Sequence, residues 1–167
     1  MSPERRPSRR PKKPKTKAES PARTRPSIQD VHDIVYFKRH RDDDASQSIP
    51  GRDFVQETCP ISVRHKINVV LVAVAAAPPH RFAGGGYWEA MHGIMAGWYE
   101  VRIDGPKRHH YRLFCLLDYD ALNSDAPLLT VICGLDKPFR TQLSGADYDR
   151  VLTLGAEYLS RNPRSIA

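Results

Sequence analysis

The residues best equipped for chemistry crowd into a short stretch. Arg102, Lys107, Arg108, His109, His110 and Arg112 all fall within eleven positions. A guanidinium presents a planar donor fork that matches phosphate or carboxylate oxygens and stays charged. An imidazole titrates near neutrality and can give or take a proton. Together these groups suit an anion held beside a proton carrier. Strand alternation would put His110 on the same face as Arg112, which makes it the better placed histidine, although a histidine beside a turn is also often simply exposed. Lys137 and Arg140 follow the apolar run Leu128 to Cys133, and a loop at the end of a sheet commonly carries a site.

If residues 98–103 and 110–117 form strands paired around a turn centred near 107, Arg102 and Arg112 stand opposite each other. Like charges directly opposed on neighbouring strands are unfavourable unless an anion or an acid compensates. Glu100 is the internal acid on that face. Two readings follow for the arginines: an anion site, or a structural pairing to Glu100.

Composition narrows the class. The chain has 167 residues, a mean hydropathy of -0.54 and a net charge of +7. The first 27 residues hold ten Lys/Arg against two Glu, whereas the rest hold 16 Lys/Arg against 17 Asp/Glu. The folded body is therefore near neutral, and any nucleic-acid argument must rest on local clusters. Residues 1–27, with six Pro, lack the apolar content to offset ordering entropy and are expected to form a disordered basic tail. No run approaches a membrane span. Cys59, Cys115 and Cys133 show no metal-ligand spacing. They read as buried free thiols, in keeping with a reducing cytoplasm. Neither a metal nor a cofactor is expected.

The elements that must position these residues are legible as patterns. Ile34 to Phe37 is rich in strand formers and predicts a first strand over 31–37. A loop over 41–50 and a short helix over 51–57 follow. Pro60 suits the first turn of a helix. After it, Val63, Ile67, Val70, Leu71 and Val74 recur at helical spacing until Pro78-Pro79 ends the run. Residues 80–87 read as a glycine-rich linker. Tyr99, Val101 and Ile103 alternate against Trp98, Glu100 and Arg102, and Asp104-Gly105-Pro106 signals a turn. Tyr111, Leu113, Cys115 and Leu117 line the next strand, and residues 128–133 form a third. Ser144 with Asp147 resembles a capping box, ahead of a stripe of Tyr148, Val151, Leu152, Gly155 and Leu159. A run of strands between helices argues an α+β fold with an antiparallel sheet and two main helices. The domain would span 28–162, with a short C-terminal tail over 163–167.

Three strings taken in order carry a family resemblance. Gly97-Trp-Tyr-Glu-Val-Arg102, then Tyr111-Arg-Leu-Phe114, then Cys133-Gly-Leu-Asp-Lys137 resemble the RelE/ParE toxin superfamily, and most nearly its phage-derived HigB-like branch. The resemblance covers roughly residues 31–160. It implies a RelE-like fold, a small twisted antiparallel sheet packed against two main helices, and a toxin that cleaves ribosome-associated mRNA. It also implies a cytoplasmic protein neutralised by a cognate antitoxin, commonly of the helix-turn-helix type.

The resemblance gives roles to individual residues. Arg112 matches the arginine that faces the scissile phosphate. Lys137 and Arg140 take the place of basic residues beside the active surface; the proton carrier, His110 or His92, is read from the residues themselves and not from the family. Arg102, Lys107, Arg108 and His92 would contact RNA. Tyr148 resembles in position a tyrosine some members use, but it also sits on the apolar stripe. Trp88 and Trp98 can stack a base, against the competing reading of core burial. The chain departs from the family pattern where a lysine-rich run would precede Gly97. Here Glu89-Ala-Met-His-Gly93 stands instead, and His92 is the one candidate stand-in. That departure keeps two alternatives in view: a ParE-like gyrase inhibitor without catalysis, and a degenerate antitoxin-binding member.

Overall fold

The computed structural model describes residues 22–82 and 85–167. The sequence expectations for residues 1–21 lie outside these. Strand β1 is Asp33–Tyr36 and leads to a short helix, α1, at Pro50–Asp53. This helix continues as a wider π turn over Phe54–Thr58. Helix α2, Ile61–Ala76, uses Pro60 as its N-cap residue rather than its first helical one. Strands β2 (Trp88–Ala90), β3 (Trp98–Gly105), β4 (His109–Asp118) and β5 (Leu128–Pro138) follow, and helix α3, Gly145–Leu159, is the last helix. The fold is α+β, as expected.

The five strands form one sheet in the order β1-β5-β4-β3-β2. Three corrections follow. The sheet is mixed, because β1 runs parallel to β5 while every other pair is antiparallel. The stretch before Gly97 supplies a strand, β2, which completes the edge beside β3. And β5 extends five residues past Cys133, so Lys137 lies inside a strand and not in the loop beyond it.

The two long helices pack on opposite faces. On one face Val63, Ile67, Leu71 and Val74 of α2 meet Val101, Ile103, Leu113, Cys115 and Val131. Full burial of each such aliphatic side chain is worth about 1.5–3 kcal/mol. On the other, Val151, Leu154 and Tyr158 of α3 meet Trp98, Phe114, Leu116 and Ile132. Leu159 was expected on this stripe but is exposed. The buried face is 151, 154, 155 and 158, because the helix turns that phase toward the sheet. Ser144 does cap α3: its Oγ accepts from Asp147 N–H at 3.1 Å and its own N–H donates to Asp147 Oδ2 at 2.8 Å.

Residues 163–167 return to the sheet. Ile166 bridges Phe37, and Tyr36 and Ala167 exchange backbone hydrogen bonds of 3.0 and 2.9 Å. This pairing covers the outer edge of β1, an edge that would otherwise offer unpaired donors and acceptors. Arg164 reaches back to Asp118 at 2.7 Å and lies over the ring of Tyr158.

Candidate anion-binding face

Antiparallel register and alternation arrange the candidate residues as a grid. Residues directly opposite in such a pair send their side chains to the same face, and so do residues two apart on one strand. The pairings Glu89↔Glu100↔Phe114↔Cys133 form one row. Arg102↔Arg112↔Leu135 form the next, and Asp104↔His110↔Lys137 the third. All three rows lie on the α3 face. The first runs under the apolar cluster made with α3, whereas Arg102, Asp104, His110, Arg112 and Lys137 stand outside that cluster. Arg102, Asp104, His110 and Arg112, with Lys66 and Tyr87, line a recess of about 360 Å³.

The charges on this face are coupled. Arg112 Nη1 donates to both carboxylate oxygens of Glu100, at 2.9 and 2.8 Å. The Glu100 side chain is 8% exposed and that of Arg112 15%. Arg102 donates from Nη1 to Glu89 at 2.7 Å, and its Nε sits 3.5 Å from Glu100. The bound arrangement leaves donor capacity over: Arg112 Nε is buried without a hydrogen-bond partner. Such an orphan costs free energy unless a ligand or water meets it. Lys137 donates to the carbonyl of Thr141 at 2.6 Å. Burial first, then the positive charges of Arg112 and Arg102, hold its ammonium below the ordinary lysine range, and Glu100 only partly offsets them. Arg102 and Arg112 thus share the buried Glu100 carboxylate, Arg102 pairs also with Glu89, and Lys137 stands on the same face without a carboxylate in contact among the described residues.

His110 completes the third row. Its Nδ1 lies 2.5 Å from Asp104 Oδ1, and its ring stacks on Phe139 with centroids 4.3 Å apart. The sequence reading missed both partners. Asp104 was absorbed into a turn signal, although the 102/112 register places it opposite His110. The turn forms farther on, where Lys107 and Arg108 adopt left-handed φ values of 59° and 57°.

The remaining candidates fall elsewhere. Lys107 and Arg108 are exposed at the hairpin tip. Arg140 is exposed just past β5, with φ 63°. His109 points to the opposite face, where its Nδ1 approaches Asp136 at 3.3 Å. His92 lies at the far end of the grid, in a separate recess with Glu89, Glu100 and Tyr148. Tyr148 is half-buried against the α3 cluster. Trp88 and Trp98 are core residues: Trp88 donates to Pro79 O at 3.1 Å and stacks on Tyr99, while Trp98 packs against Gly155. Neither is free to stack a base.

All three cysteines are buried free thiols. Burial pushes Cys59 and Cys133 up to about 12, which removes them as nucleophiles at neutral pH. Among the described residues no group of three or more His, Cys, Asp or Glu can hold a metal ion, and no helix is long and apolar enough to cross a membrane. Comparison with known proteins yields no match among family models, curated proteins or solved structures.

Proposed function

We propose that this chain is a RelE/HigB-like toxin, an endoribonuclease that cleaves mRNA without a metal and is neutralised by an antitoxin of the helix-turn-helix type. The family identity, the RelE-like fold and the cytoplasmic setting rest on the three sequence strings described above. The observation that carries the chemical reading is the grid. Arg102, Arg112 and Lys137 share one sheet face, with the buried Glu100 carboxylate beside the two arginines and the buried Arg112 Nε left without a partner.

In the proposed reaction the ribose 2′-OH attacks the adjacent phosphorus. The O2′–P bond forms, the P–O5′ bond breaks, and a 2′,3′-cyclic phosphate and a 5′-OH result. Arg102, Arg112 and Lys137 hold the phosphate and stabilise the charge that builds on its oxygens. Fixing the chain geometry across the site supplies the in-line arrangement. His110 takes the 2′-OH proton, and the 5′-oxygen gains one from solvent. Lys107, Arg108 and Arg140 extend the basic surface along the RNA.

A binding-only, ParE-like reading has one observation in its favour: both arginines are engaged by carboxylates in the free protein. The two readings separate on induction in bacteria, with transcript 5′-ends mapped genome-wide. The nuclease reading expects new 5′-ends within coding sequence, absent for Arg112→Ala. DNA damage with intact transcripts would overturn it.

A further inference from the structure

We infer that Asp104 is a positioning residue for His110, fixing the imidazole so that Nε2 is the nitrogen offered to the recess beside Arg102 and Arg112. This rests on the nuclease reading for its catalytic consequence but not for its geometry.

Asp104 and His110 are directly opposed in the β3–β4 register. The Asp104 carboxylate is largely exposed, and a carboxylate oxygen accepts at this contact. An acceptor 2.5 Å from Nδ1 requires that nitrogen to carry the proton. In neutral His110 the lone pair then resides on Nε2, which has no hydrogen-bond partner among the described residues. The Phe139 ring, inclined 25° to the imidazole, fixes the plane. Carboxylate and aromatic ring together thus define both tautomer and orientation, as a general base requires.

The groups facing His110 come from every neighbouring element. They are Asp104 and Arg102 on β3, Arg112 on β4 and Lys137 opposite on β5, and Lys66 of α2 lines the same recess. Asp104 is the one carboxylate among them in contact with the ring, so its removal leaves the imidazole facing cations alone.

The same strand contains an internal control. His109 approaches Asp136 at 3.3 Å on the opposite face, away from the arginines. A general effect of losing a surface carboxylate would appear equally in Asp136→Asn and Asp104→Asn.

The test combines imidazole ¹⁵N spectra with pH profiles of RNA cleavage for wild type, Asp104→Asn and Asp136→Asn. Expected for wild type is the Nδ1–H tautomer at His110. Asp104→Asn should lose that preference and cleave about tenfold more slowly at saturating RNA. Asp136→Asn should match wild type in both readouts. An Nε2–H tautomer in wild type, or a profile for Asp104→Asn that superimposes on that of Asp136→Asn, would overturn the assignment. If wild type shows the expected tautomer and cleaves no RNA, it is the nuclease reading that falls, and the catalytic use of His110 with it.

Discussion

Arg102 and Arg112 stand directly opposite each other on neighbouring strands, and both reach the carboxylate of Glu100, at 3.5 and 2.8 Å. That shared carboxylate, with Glu89 at 2.7 Å from Arg102, allows two guanidinium groups to share a face on which they would otherwise repel each other. It also sets what should happen when the balance is altered.

Glu100→Gln should destabilise the protein by about 2–4 kcal/mol, because it strands the mostly buried Arg112 without its partner. Inorganic phosphate should restore part of that loss and raise the variant's melting temperature more than that of wild type. Equal phosphate responses would show that no anion enters between the arginines.

The two arginines should separate in their effects. Arg102 is 41% exposed at its side chain, so Arg102→Ala should change stability little. Cleavage should fall about a hundredfold with the lost phosphate contact. Arg112→Ala should lose both, and Arg112→Lys should not restore cleavage, since an ammonium lacks the planar fork. Urea titrations beside initial rates decide this. Full activity in Arg112→Lys would mean that bare charge is sufficient.

Much of this face was legible beforehand, because it depends on local pattern. Alternation and a turn centred near 107 place Arg102 opposite Arg112 and put His110 on their side. The Ser144–Asp147 cap is equally local. What escaped depends on distant partners. Glu89 and Ala90 have no intrinsic strand preference and become strand by pairing with Glu100 and Tyr99. The polar end of β5 is held straight by β4 out to the His109–Pro138 pair. The parallel β1–β5 contact joins segments about a hundred residues apart, a separation that no local pattern reports. Asp104 was hidden for another reason: Asp-Gly-Pro is a strong turn signal, but two left-handed residues after the proline carry the reversal instead.

Part of the acid sensitivity should trace to Asp118, in addition to the hydrogen-bonded Asp44 and Asp147. Burial raises its carboxyl, but hydrogen bonds from Arg164, the Asp120 N–H and Tyr158 outweigh that and hold it below the ordinary value. A carboxyl depressed in the folded state contributes stability that is fully present above the unfolded value, about 3.9. That stability is lost as pH falls through the folded value. Asp118→Asn should therefore cost about 3 kcal/mol at pH 7 and flatten the dependence of melting temperature on pH below about 4. Deleting residues 164–167 should reproduce the loss and also uncover the β1 edge. A variant with the wild-type acid slope would place the sensitive group elsewhere.

Gly155 is the point at which α3 seats on the sheet. A Cβ there would collide with the Trp98 ring, so Gly155→Ala should destabilise by about 1–3 kcal/mol despite alanine's better helix propensity. Denaturant midpoints measure this, and a stabilised variant would show that α3 can slide without penalty.

The most direct measurement is on purified protein. A defined mRNA is incubated with and without ribosomes, in the presence of a metal chelator, and the new ends are identified chemically. The account expects 2′,3′-cyclic phosphate and 5′-OH termini, abolished by 2′-deoxy substitution at the cleaved position and by Arg112→Ala. Intact RNA under both conditions, or cleavage that persists in Arg112→Ala, would contradict it.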